Sequence, residues 1–162
     1  MSVWSDDINI EFRQLNNYMK KYFMIGSLVV FVVIFNLGYV FHEVIMGSFF
    51  KEHIGAIQRD EYIIPLIALA FILYTAFQAY FLPAYFDYTS RKYNWSLTKT
   101  ALIFGGLIGL FWDGLQGGII EVATFKMPAV VFWYDSSYHT VEGIITALCL
   151  SFFYKKFVLK KI

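Results

Sequence analysis

Four long apolar runs set the pattern of this chain, at residues 22–46, 62–86, 100–125 and 130–154, and short polar stretches at 51–61, 87–99 and 126–128 separate them. A helix rises about 1.5 Å per residue, so about 30 Å of hydrocarbon takes about 20 apolar residues to cross, and each run is long enough. The pattern predicts an all-α fold: a four-helix transmembrane bundle with no room for a soluble domain on either side. Residues 1–21 read differently. Trp4, Ile8, Phe12, Leu15 and Met19 recur at helical spacing and share one face. That predicts an N-terminal amphipathic helix lying in the cytoplasmic interface, or, more plainly, a surface helix folded under the bundle. Ser5 or Ser2 can cap it, and Asp6 and Asp7 suit the positive end of its dipole. With Glu11 they form an acidic start, the opposite of a secretory leader, so no cleaved leader is expected. The expected division is thus 1–21 as interfacial helix, 22–154 as the four-span domain, and 155–162 as a basic cytoplasmic tail.

Composition sharpens the class. The chain is 59% hydrophobic and 15% charged over 162 residues, against about 45–50% and about 25% in soluble domains. Aromatic residues make up 21%, more bulk than a small soluble core can bury. A net charge of +1 excludes a basic nucleic-acid-binding surface, and the lone Cys149 excludes an internal disulfide framework or a cysteine metal cage. Lys and Arg give the orientation. Arg13, Lys20 and Lys21 flank the first run, Arg91, Lys92 and Lys99 lie in the second break, and Lys155, Lys156, Lys160 and Lys161 end the chain. Only Lys51, Arg59 and Lys126 fall on the other side. The positive-inside rule then puts both termini in the cytoplasm, and the membrane expected is a bacterial inner membrane. Tyr22, Tyr62, Tyr85, Tyr93, Trp95, Trp133 and Tyr154 fall near the run ends, where aromatic rings sit at headgroup level.

The third run is rich in glycine, with Gly105, Gly106, Gly109, Gly114, Gly117 and Gly118. Gly105 with Gly109 and Gly114 with Gly118 form G-x-x-x-G pairs, which predict close helix packing or a dimer seam; a ligand against bare backbone is the other reading. The two halves of the chain do not echo each other, so the inverted repeat of many transporters is not expected.

The candidate chemistry lies in polar residues inside the runs, where charge is costly and marks function. Measured from the middle of each run at about 1.5 Å per residue, Asp113 and Glu142 fall near the midplane, with Gln116 and His139 slightly outward. His42, Glu121 and Asp135 fall about 10–13 Å outward on the same measure. The cytoplasmic half carries almost no ionisable group, so the pattern describes a polar funnel open to the non-cytoplasmic side above an apolar floor. Asp135, His139 and Glu142 are spaced i, i+4, i+7 and share a helix face. Asp113, Gln116 and Gly117 share another, with Glu121 close by. His42 and Glu43 are adjacent, so only one can face the interior. Tyr74, Thr75 and Gln78 can add hydroxyl and amide groups from the second run.

Several uses fit this set. Asp113, Gln116, Glu142, Tyr74 and Gln78 can bind an ion or a small polar solute, and His42, Glu121, Asp135 and His139 can ligate a divalent metal, the one cofactor the residue types suggest. His139 and Glu142 can act as an acid–base pair in a membrane-embedded enzyme working on a lipid or isoprenoid. The plainer reading is a hydrogen-bonded network fixing helix register in a structural or accessory subunit of a membrane complex. Apart from the lipid bilayer, the partner expected is a second copy or a larger membrane complex, since four spans are few for a carrier. His53, between polar neighbours, reads as solvated, Cys149 as an apolar filler, Pro65 as a first-turn proline and Pro83 as a bend.

The segment Phe49-Phe50-Lys51-Glu52-His53-Ile54-Gly55, with Arg59-Asp60 and Tyr74 after it, resembles a turn found in small four-span bacterial membrane proteins of unknown function. In those families the turn joins the first two helices. A glycine-rich third helix with a mid-span Asp follows, matched here by 105–113, and a D-x-x-[YW] element opens the fourth, matched by Asp135 and Tyr138. The acidic residue that such proteins can carry in the first span is Gly38 here, or is displaced to His42 and Glu43. The resemblance implies the four-helix architecture and carries no activity.

Overall fold

The computed structural model describes residues 13–55, 63–115, 119 and 128–161, and these are helical apart from short turns, with no strand among them. The first element, α1, is one helix of 33 residues, Arg13–Ile45. The helix is thus continuous across residue 21. No glycine or proline stands between Arg13 and Tyr22, and Lys21 has ordinary helical angles (φ −62°, ψ −45°), so the described part of the N-terminal segment runs straight into the first apolar run. Trp4, Ile8 and Phe12 lie outside the described residues. The chain breaks at Met46 (φ −108°, ψ 3°) and re-enters a short helix, α2, Gly47–Ile54, whose last four residues fall in the stretch expected to be turn.

The second long helix, α3, spans Ile64–Tyr93 with Pro65 in its first turn, as its position predicts. The helix carries on through residues expected to form a polar turn. Arg91 pairs with Asp87 one turn back at 2.8 Å, Lys92 donates to the Tyr88 hydroxyl at 2.8 Å, and cations suit a helix C-terminus. The turn itself shrinks to 94–96. Asn94 closes α3 in the left-handed region (φ 54°), and Ser96 opens the next helix by accepting the Lys99 N–H at 3.2 Å. That helix, α4, is Leu97–Leu107 and continues in wider, π-type turns over Ile108–Leu115. The last, α5, is Ala129–Tyr154, entered from Pro128, and it extends through Lys155–Leu159 where a tail was expected.

Two of these helices, α1 and α3, are long and apolar enough to cross a membrane. Their large apolar side chains, among them Leu28, Val32, Leu66 and Leu73, are exposed instead of packed, unlike the core helix of a soluble domain.

Neighbouring long helices run antiparallel. Tyr22 meets Tyr154, Gly26 meets Leu150 and Phe153, and Gly38 meets Tyr138, which fixes α1 against α5. Tyr85 on Phe104 and Phe77 on Trp112 fix α3 against α4, joined by a Thr89–Thr100 hydroxyl bond of 2.9 Å. The closest approach is between α4 and α5. A Cβ on Gly105 would strike the Gly143 carbonyl, one on Gly109 the His139 carbonyl, and one on Gly114 the Ser136 backbone at 3.0 Å. Of the readings open for these glycines, helix packing within the chain is the one realised at all three positions; Gly117 and Gly118 lie outside the described residues.

Below this crossing, at the end carrying the basic residues, sits the main core of Tyr22, Val30, Ile34, Leu82, Phe104 and Leu150, among others. Tyr22 is fully buried, so it is a core residue and not the headgroup-level ring its position suggested. Its hydroxyl donates to the Ala79 carbonyl at 3.0 Å. Pro83, four residues on, has no N–H to offer that carbonyl, so Tyr22 supplies the missing donor across the interface. A second apolar cluster, Phe50 and Val131 with Phe41, Met46, Phe49 and Ile54, lies at the opposite end.

Candidate functional site

The face of α5 carries most of the polar network. Helical spacing brings Asp135, His139 and Glu142 into one line, and the structure links them directly. His139 Nε2 is 3.4 Å from Asp135 Oδ2, and His139 Nδ1 is 2.9 Å from Glu142 Oε2. With Glu142 ionised, the carboxylate accepts and Nδ1 is the nitrogen that donates to it. Tyr138 donates its hydroxyl to the other oxygen, Oε1, at 3.0 Å. The first helix adds His42, whose Nε2 is 3.9 Å from Asp135 Oδ1. Of the adjacent pair on α1, His42 is the one turned to the network, and Glu43 is exposed.

Aromatic rings hold His42 in place. It lies edge-on to Tyr138 with ring centres 5.1 Å apart, and 5.2 Å from Phe50 on α2. Phe41 stacks on Tyr138 at 4.1 Å with the ring planes 12° apart. This stack needs close helix contact, which Gly38 permits one turn earlier: a Cβ there would stand 3.1 Å from Phe71 and 3.4 Å from the Tyr138 hydroxyl.

Accessibility falls with depth along the network. The side chains of His42, Asp135, His139 and Glu142 are 36%, 21%, 16% and 0% exposed. The more accessible end of the network is therefore that of His42 and Asp135, beside the Phe50–Val131 cluster, and Glu142 forms its inner limit above the main core. His42, Asp135 and His139 each present a ligating atom, and these three atoms lie within 4.8 Å of one another.

Other expected members fall elsewhere. Gln78 is fully buried, and neither its amide nitrogen nor its oxygen has a hydrogen-bond partner among the described residues. Thr75 donates to the Phe71 carbonyl of its own helix at 2.7 Å. The Tyr74 ring packs against the main core. The side chain of Asp113, and Gln116 and Glu121 entirely, lie outside the described residues. His53 bonds the Phe49 carbonyl through Nδ1 at 2.9 Å and packs on that ring, so it is a half-buried helix residue and not a solvated one. An apolar groove of about 400 Å³ between α3 and α4, lined by Phe77, Phe81, Phe104 and Ile108 among others, contains none of the polar network.

Two participants escaped the sequence as site members. Tyr138 stands at i−4 from Glu142, the same periodicity that identified its neighbours, and Phe41 is next to His42. Gly143 also went unread because its partner glycines are on another helix. No protein-family model, curated protein or solved structure matches the chain, so the resemblance around 49–55 rests on its residues alone.

Proposed function

We propose that the chain is an integral membrane protein of four spans, with both termini cytoplasmic, whose outer-half network binds a cation. One observation carries this reading: a fully buried carboxylate, Glu142, is held by Tyr138 and His139 and continued by Asp135 and His42 towards the accessible end. Ionised carboxylates within a bilayer are costly and find compensation in positive charge, so such a network is a place for a cation. The length and apolarity of α1 and α3 support the membrane setting, and antiparallel packing supports two further spans through α4 and α5.

Calorimetry on detergent-purified protein tests the reading, with a panel of monovalent, divalent and small organic cations. Wild type should bind at least one of them at one site per chain, and an Asp135→Asn/Glu142→Gln variant with unchanged helicity should not. If neither protein binds any of the panel, the network is a structural one. The 2.9 Å contact between His139 and Glu142 also favours a second reading, acid–base catalysis on a lipid. A loss of lipid conversion in His139→Ala, relative to wild type incubated with the same extract, would establish it.

A further inference from the structure

Building on the cation-binding reading, we infer that the cation is a divalent transition-metal ion of the zinc or ferrous type, ligated by His42, Asp135 and His139, with Glu142 orienting His139 from behind. The donor set comes first. Two imidazoles and one carboxylate suit zinc, iron, cobalt or nickel, whereas calcium and magnesium take six or more oxygen ligands.

Spacing agrees. Donors around a tetrahedral ion at about 2.0–2.2 Å stand about 3.3–3.6 Å apart. His139 Nε2 stands 3.4 Å from Asp135 Oδ2 and His42 Nε2 stands 3.9 Å from the other oxygen, Oδ1, and with one atom taken from each residue the three donors lie within 4.8 Å of one another. Bringing all three onto one ion needs side-chain shifts of about 1 Å, shared between the part-exposed His42 and Asp135. Three ligands come from the described residues, one fewer than a closed tetrahedral shell holds.

The ring nitrogens agree as well. A ligating histidine commonly donates its other N–H to a carboxylate, which fixes the ring and raises its basicity. His139 does this: Nδ1 faces Glu142 at 2.9 Å, and Nε2 is turned to Asp135. The Tyr138 hydroxyl pins the opposite oxygen of that carboxylate at 3.0 Å. Charge closes the argument. Among the described residues of the network Asp135 and Glu142 bring two carboxylates, and one divalent ion with two neutral imidazoles balances them when both are ionised.

Equilibrium dialysis of the detergent-purified full chain against Zn²⁺ and Co²⁺, with Mg²⁺ and Ca²⁺ as controls, tests this. Wild type should retain about one Zn²⁺ or Co²⁺ per chain and no Mg²⁺ or Ca²⁺, with cobalt giving visible ligand-field bands of a low-coordinate site. Glu142→Gln should weaken binding by about 10–100-fold, the range for loss of an outer partner. His42→Ala, which lies on the most exposed ligand, should weaken it further than Glu142→Gln while helicity and elution volume stay unchanged. Failure of wild type to retain either transition metal overturns the inference, as does equal retention by wild type and His42→Ala. If calorimetry then still shows a monovalent or organic cation bound, only the metal assignment falls; if it shows none, the cation reading falls with it.

Discussion

The Tyr22 hydroxyl reaches the carbonyl of Ala79, 57 positions along the chain, and the two atoms are 3.0 Å apart in the buried core. Pro83 created the vacancy that this bond fills. Tyr22→Phe should therefore cost about 1–3 kcal/mol, the range for a buried acceptor stripped of its donor. In a Pro83→Ala background, residue 83 regains an N–H for Ala79, so the same change should cost less than half as much. Unfolding titrations of the four proteins in mixed micelles measure the difference, and an equal cost in both backgrounds would sink the explanation.

The glycines of α4 divide into two kinds. Gly105→Ala drives a methyl into the Gly143 backbone, which cannot turn aside, and should destabilise by about 1–3 kcal/mol or more. Gly106→Ala meets only the Ile144 side chain at 3.6 Å, an ordinary contact, and should be neutral or gain from the better helix propensity of alanine. Thermal melts of the two variants side by side should separate them clearly; matching midpoints would argue against the packing role.

Glu142 binds two donors from neighbouring positions on one turn. Tyr138→Phe removes the hydroxyl from Oε1 while keeping the ring stacked on Phe41, and should cost about 1–3 kcal/mol of stability. With Glu142→Gln already present the cost should fall, since the acceptor is no longer charged. Additive losses in the double variant would show that the two groups do not interact.

Topology is open to chemical labelling. In a Cys149→Ala background, Lys51→Cys should react with a membrane-impermeant maleimide added outside intact cells, and Arg91→Cys only after permeabilisation. Labelling of both from the same side would contradict the antiparallel membrane arrangement.

Much of the architecture was legible because it rests on local periodicity. The i, i+4, i+7 spacing of Asp135, His139 and Glu142 belongs to one helix, and the bonds among them follow from it. The choice of His42 over Glu43 was not legible: adjacent residues point about 100° apart on a helix, and only the docking of α1 on α5 selects one. Helix ends were blurred for a similar reason. Nothing in 13–22 breaks a helix, so the helix runs on there, and charged residues at the end of α3 prolong it into the stretch that polarity alone marked as turn. Tyr22 changed role because an orphaned carbonyl on another helix claims its hydroxyl, a relation invisible to any pattern along the chain.

The backbone contact between α4 and α5 also bears on how the chain enters a membrane. With α1 and α3 apolar enough to partition one at a time, each can leave the translocon on its own. For α5, whose Asp135, His139 and Glu142 lie on one stripe, lateral release alone would present ionisable groups to lipid. Glycines let α4 cover the backbone beside that stripe, and His42 meets it from α1. Under the proposed four-span arrangement, biogenesis would favour release of α4 and α5 as a preformed hairpin, so a substitution that parts them would act first on insertion yield and only afterwards on the finished protein.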